Sequence, residues 1–219
     1  MRIFLDTANV DEIRQATKLG VVSGVTTNPS LASKEGIGTS NGYRDAVLEI
    51  ADIVDGPISV EVVSLETEAM LEEGSGISQW HPNVVVKLPS TRSGFEAMAQ
   101  LSNEGVKINQ TLCFSVNQAL LGAQAGAGYV SPFVGRLDDQ GQDGMEVVGD
   151  IVTVFRQHGI STEVLAASIR SPLHCLMAAK AGAAIATVPF KVLTQMIHHP
   201  LTDIGLARFT QDWEMAAKQ

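Results

Sequence analysis

Cysteine is almost missing from this sequence. The two that occur, Cys113 and Cys175, lie far apart within apolar segments of the 219-residue chain. That spacing offers neither a disulfide framework nor a zinc motif, and both read as reduced, buried thiols. The five histidines, His81, His158, His174, His198 and His199, do not pair with acids at ligand spacing on a strand end, so no metal is expected. Basic residues are outnumbered, 15 against 24 acidic ones, for a net charge of −9. No basic stripe appears, which argues against a nucleic-acid partner. An anionic ligand would need a local cationic pocket against this global field. Long apolar runs are absent as well, so no membrane span is expected. The opening "MRIFLDTANV" has a strand pattern without signal-peptide character, and a soluble, cytoplasmic protein is the expectation. No Gly-rich dinucleotide fingerprint follows the first strand, which leaves a Rossmann reading little support. No linker or low-complexity segment divides the chain, so 1–219 reads as one domain.

What the chain has is aliphatic. Hydrophobic residues make up 45% and aromatics only 5%. An Ala-, Val- and Gly-rich mixture fits helices packed on a parallel sheet better than a β-sandwich. Short apolar runs alternate with helical patterns throughout. "RIFLD", "SGVTTNP", "PISVEVV", "NVVVKLP", "VKINQTLCF", "GYVSPFVGR", "TEVLAAS" and "AAIATVPF" read as strands. Helical patterns follow them at about 10–19, 43–54, 66–79, 93–103, 115–125, 144–158, 172–181 and 192–197. Eight strand–helix units point to a closed (β/α)₈ barrel, with an open doubly wound sheet as the rival. An additional C-terminal helix is expected at about 203–217, with Leu206, Phe209, Trp213 and Ala216 at helical spacing.

A barrel places its active site at the C-terminal ends of its strands. Polar residues at those ends are Asp6, then Thr26, Thr27 and Asn28, then Glu61, Lys87, Asn109, Thr111, Ser131 and Ser168. Singly, such residues are often caps or turn formers; together at one end they form a convergent pocket. Lys87 stands out, because "VVVKLP" ends an apolar strand with an amine. One reading is a lysine that snorkels to water. The other is an amine whose charged form is disfavoured by valine walls, freeing it to attack a carbonyl and form a Schiff base. Lys107 falls at the opposite barrel face and Lys191 in a loop. Asp6 and Glu61 are candidates for the accompanying proton transfers, although Asp6 could equally cap the following helix. Arg136 and Arg170 follow strands six and seven, where barrels tend to hold phosphate. The competing reading pairs Arg136 with Asp138 or Asp139 and leaves Arg170 to solvent.

"FLDTANVDEI", "GVTTNPSL", "VVVKLPST", "YVSPFVGRLDD", "LAASIRSP", "TVPFKVL" and "HPLTDIGL" together resemble the small transaldolase family, which includes the fructose-6-phosphate aldolases. The resemblance runs from Met1 to about Trp213. It implies a single-domain barrel using a metal-free, cofactor-free class I mechanism on sugar phosphates. Lys87 becomes the Schiff-base lysine and Asp6 the acid–base residue at the substrate hydroxyl. Glu61 and Thr111 hold a catalytic water. Thr26, Asn28, Asn109, Ser131, Phe133 and Ser168 belong to the substrate site, and Arg136 and Arg170 hold the phosphate. Transaldolases of the family carry Glu and Phe where the aldolases carry Gln and Tyr; Glu61 and Phe133 favour transfer of dihydroxyacetone over its release. Homo-oligomers of five or ten chains are also implied, with the last helix reaching a neighbour. Gln110 departs from the family pattern, but strand alternation points it away from the barrel interior.

Overall fold

The structure, a computed structural model, describes residues 1–217; the last two positions of the expected 1–219 domain lie outside the described residues. Eight strands form the barrel: β1 (Arg2–Asp6), β2 (Val22–Thr26), β3 (Ile58–Glu61), β4 (Val84–Pro89), β5 (Ile108–Cys113), β6 (Tyr129–Pro132), β7 (Glu163–Ala166) and β8 (Ile185–Val188). They pair in parallel in sequence order, and β1 closes the ring on β8 from Arg2↔Ile185 to Leu5↔Val188. Between them run α1 (Val10–Thr17), α2 (Pro29–Lys34), α3 (Ser40–Ile53), α4 (Thr67–Ser78), α5 (Arg92–Asn103) and α6 (Val116–Gln124). The chain continues through α7 (Val134–Asp138), α8 (Gly144–Gln157), α9 (Pro172–Ala181), α10 (Phe190–Ile197) and α11 (Pro200–Ala216).

Alternation along each strand sorts side chains between two cores. Val84, Val86 and Leu88 face outward into the sheath of helices. Phe4, Leu165 and Ile185 face inward and fill the barrel interior. Phe4 fits only because its neighbour is Gly24: a Cβ there would lie 2.7 Å from the Phe4 ring. Two residues further along, the inward positions of the same strands are Asp6, Ala167 and Thr187, so the apolar plug gives way to polar groups at the mouth.

Two helices were not legible in the sequence. The start of α2 is signalled by Asn28, whose side chain accepts from the Leu31 N–H at 2.9 Å, followed by Pro29 in the first turn. Its six residues are too few to show periodicity, and the same holds for the five of α7. The stretch between "SGVTTNP" and the helical pattern expected at 43–54 is thus partly helix, and α3 begins at Ser40, capped by Thr39. The last helix lies where expected but starts earlier, at Pro200, and none of its residues is buried. Packing of its apolar side chains on its own barrel is therefore ruled out among the described residues: Phe209 is 70% exposed and Trp213 79%.

Candidate active site

Lys87 does not snorkel. It is 3% exposed, and its amine lies 3.0 Å from a Glu61 carboxylate oxygen and donates to the Thr27 carbonyl at 3.1 Å. Register explains the meeting: Glu61 pairs with Lys87 across β3 and β4, and Lys87 pairs with Asn109 across β4 and β5. Glu61, a charge inside a strand that needed a partner, has found one. The other lysines stand elsewhere. Lys107 donates to the Pro82 carbonyl just before β5, at the opposite end, and Lys191 is exposed on α10.

A cavity of about 120 Å³ opens over the amine. Eight of the twelve residues expected at the site line it: Asp6, Thr26, Asn28 and Lys87 on one side, Ser131, Phe133, Arg136 and Ser168 on the other. Ala167 and Thr187 complete the wall. Asp6 does not cap α1; Asn9 does, accepting from the Glu12 N–H. Asp6 instead accepts from the Thr26 hydroxyl at 2.7 Å, and Thr26 in turn meets Thr187 at 2.6 Å. A hydroxyl has one proton, so Thr26 donating to Asp6 makes Thr187 the donor to Thr26. Burial raises the Asp6 carboxyl above its ordinary range, while the Lys87 amine and the Thr26 hydroxyl pull it back.

Asn109 and Thr111 are fully buried beside the cavity. The Asn109 amide donates to Ser59 at 3.0 Å and accepts from Ser131 at 2.7 Å. Thr111 sits in a bulge, where two residues of β5 oppose one of β6, and the next residue, Leu112, has φ 51°. Its buried hydroxyl has no protein partner. Ser168, on the cavity wall, has φ 57°. A non-glycine residue in the left-handed region on the cavity wall is the pattern of a site held against local strain. Gln110 points outward as alternation required, donating to Ser90 and to the Gln118 carbonyl on α6.

The arginines are arranged differently from the reading that pairs Arg136 with an aspartate and leaves Arg170 to solvent. Arg136 lines the cavity, with its guanidinium 5.3 Å from the centre of the Phe133 ring. Phe133 also meets Phe114 edge-on at 5.9 Å. It is Arg170, not Arg136, that pairs with an aspartate: both its terminal nitrogens donate to Asp139 at 2.5 Å. Gly135 leaves it room, since a Cβ there would stand 2.5 Å from the Arg170 Nε. Arg170 is not among the residues that line the cavity.

Sequence reasoning missed Thr187, Ser59 and Tyr43, and noted Thr27 without a role. For Thr187 a signal existed: it is the one hydroxyl of an apolar strand, two residues beyond inward-facing Ile185. The thiols take no part. Burial pushes both Cys113 and Cys175 up to about 11, which keeps them protonated. Among the described residues, no group of three His, Cys, Asp or Glu side chains is placed to hold a metal ion.

The family model described as Transaldolase/Fructose-6-phosphate aldolase matches residues 3–219. The chain belongs to that family. A probable transaldolase of Heliobacterium modesticaldum is 59% identical over 214 residues, 98% of both chains. One of Dehalococcoides mccartyi is 57% identical over 219 residues, all of both chains. Among solved structures, a mandelate oxidase mutant aligns over 86% of this chain and 64% of its own, with a TM-score of 0.57. At 14% identity that likeness concerns the barrel fold alone. No described helix is long and apolar enough to cross a membrane.

Proposed function

We propose that this chain is a cytoplasmic transaldolase of the pentose phosphate pathway, working through a Schiff base on Lys87. It would move dihydroxyacetone from fructose 6-phosphate or sedoheptulose 7-phosphate to glyceraldehyde 3-phosphate or erythrose 4-phosphate. The observation that carries this reading is a buried amine at the barrel mouth, paired with Glu61 and facing a cavity lined by Asp6.

The Lys87 amine attacks the ketose carbonyl, and loss of water leaves an imine. Asp6 takes the proton of the hydroxyl on the carbon beyond the breaking bond. That bond's electron pair flows into the imine, the aldose phosphate leaves, and a three-carbon enamine stays on Lys87. An acceptor aldehyde captures the enamine, Asp6 returns its proton, and water releases the new ketose. A carboxyl that must both take and return a proton is served by a raised proton affinity, which burial supplies at Asp6. Glu61 and the unpartnered Thr111 hydroxyl would hold the water exchanged at imine formation and hydrolysis. Asn28, whose Oδ1 caps α2, keeps its amide N–H groups for substrate hydroxyls; Ser131, Ser168 and Asn109 support the same moiety. Arg136 and Arg170 would bind phosphate, with Asp139 orienting the second. Phe133 and Glu61 favour transfer over release.

A homo-oligomer is part of the proposal. The unburied apolar side chains of α11 would pack on a neighbouring copy, in rings of five or paired rings of ten.

Borohydride reduction in the presence of fructose 6-phosphate tests the chemistry. The expected product is a three-carbon adduct on the peptide containing Lys87. No adduct, or one on Lys107 or Lys191, would overturn the mechanism.

A further inference from the structure

Tyr43 lies on α3, outside the cavity wall, yet its phenol oxygen stands 2.5 Å from the Thr27 hydroxyl. Thr27 is fully buried, in the two-residue link between β2 and α2. Its carbonyl is the one that accepts from the Lys87 amine. Beyond the end of β2, other bonds must hold that carbonyl in place. Both the N–H and the hydroxyl of Thr27 donate to the Ser59 carbonyl at 2.9 Å, tying the link to β3.

These bonds have one consistent direction. The single hydroxyl proton of Thr27 is spent on Ser59, so Tyr43 is the donor to Thr27. Burial pushes the Tyr43 phenol up to about 12, against the hydrogen bonds that pull it down, so the donor keeps its proton at neutral pH. The ring itself is held edge-on against Trp80, with centroids 6.1 Å apart, in the segment leading from α4 to β4. A helix outside the barrel is thus connected through two hydroxyl-bearing side chains to the carbonyl that faces the lysine.

We infer that Tyr43 is a positioning residue for the Lys87 amine, acting through Thr27: its hydroxyl locks the Thr27 link, whose carbonyl aims the amine for attack. The inference rests on the Schiff-base reading of Lys87. It differs from a packing role for Tyr43, which the ring alone could fill.

Three variants separate the two roles. Tyr43→Phe keeps the ring and removes the donor. Thr27→Val keeps the shape and removes the hydroxyl. Thr27→Ser keeps the hydroxyl. The readouts are the rate of borohydride-trapped imine formation with fructose 6-phosphate, kcat and KM for transfer to erythrose 4-phosphate, and the melting temperature. Tyr43→Phe and Thr27→Val should each slow imine formation and kcat by roughly threefold to tenfold, the worth of one hydrogen bond. KM should stay within about twofold, since ground-state binding is not what is lost. The double variant should be no slower than the slower single one, because both cut the same connection. Thr27→Ser should recover most of the rate lost in Thr27→Val. An unchanged imine rate in Tyr43→Phe, losses that multiply in the double variant, or a rise in KM alone would overturn the inference. If Tyr43→Phe does not fold, the contrast between Thr27→Val and Thr27→Ser decides. A parent protein that traps no adduct on Lys87 sinks the chemistry and this inference together; a normal parent with an unaffected Tyr43→Phe sinks the inference alone.

Discussion

The Glu61 carboxylate stands 3.0 Å from the Lys87 amine, side by side across one register pair of β3 and β4. Both side chains are largely withdrawn from water, with exposures of 14% for Glu61 and 4% for Lys87. Removing one leaves the other without its ion-pair partner in a largely buried place.

That relationship sets the first prediction. Lys87→Met should fold but lose all transfer activity, and should be less stable than the parent by about 1–3 kcal/mol because Glu61 is left unpaired. Adding Glu61→Gln to Lys87→Met should restore part of that loss. Urea unfolding of the two variants checks it. A double variant no more stable than Lys87→Met would mean that the pair contributes nothing.

Asp6 predicts a pH effect. Burial raises its carboxyl, so the folded chain holds that proton more tightly than the unfolded chain, where the ordinary value is 3.8. The stability this contributes is fully present below the ordinary value and is lost as pH rises through the raised folded one. Asp6→Asn has no such dependence. Its melting temperature relative to the parent should therefore climb as pH rises above the ordinary carboxylate value of 3.8. A constant difference would contradict the raised proton affinity. The same variant should still trap fructose 6-phosphate on Lys87, but as an intact six-carbon adduct, because cleavage needs the base and imine formation does not.

Arg136 and Arg170 should read the phosphate. Changing either to Ala should raise KM for phosphorylated acceptors roughly tenfold or more, the worth of a charge-assisted contact, with little change for unphosphorylated glyceraldehyde. Asp139→Asn loosens the two bonds that orient Arg170 and should act in the same direction as Arg170→Ala, more weakly. Equal losses on both acceptors would show that these arginines do not contact the phosphate.

Transfer should outrun release. After cleavage, an acceptor captures the enamine, or a proton reaches its carbon and hydrolysis frees dihydroxyacetone. Phe133 lines the cavity without a hydroxyl, so its side chain offers no proton donor. Free dihydroxyacetone from fructose 6-phosphate alone should form much more slowly than transfer to erythrose 4-phosphate. Phe133→Tyr should shift the balance towards release, and Glu61→Gln should act in the same sense. A parent that releases as fast as it transfers would be an aldolase.

The last helix should hold an assembly together. Light scattering at micromolar concentration should give a multimer of five or ten chains. Replacing Phe209 and Trp213 with Gln should dissociate it while leaving each barrel folded, since neither side chain is buried in its own chain. A monomeric parent would refute this role for α11.

Much of this protein is legible in its sequence, because local physics determines it. Period-two alternation in "INQTLC" puts Asn109 and Thr111 on one face and Gln110 on the other, and the place of Lys87 near the end of "VVVKLP" puts it at the barrel mouth. Eight strand–helix units called for a closed barrel, and the closed barrel brought eight of twelve expected residues to one cavity. Short elements escaped: α2 and α7 are held by caps and neighbours rather than by a periodic face.

What only the tertiary structure decided are pairings between groups distant in sequence. Glu61 meets Lys87 because β3 and β4 share a register; Arg170 turns to Asp139 because α7 passes beside the β7 end. Thr187 supports Asp6 through Thr26 because the ring closes, and Tyr43 reaches the hydroxyl of Thr27, whose carbonyl faces the lysine, because α3 folds back over the β2–α2 link. Strand periodicity sets which way a side chain points, but not how long an arginine reaches or which hydroxyl proton is already spent. Those depend on distances of a few ångströms between elements, and the sequence determines them only through the whole fold.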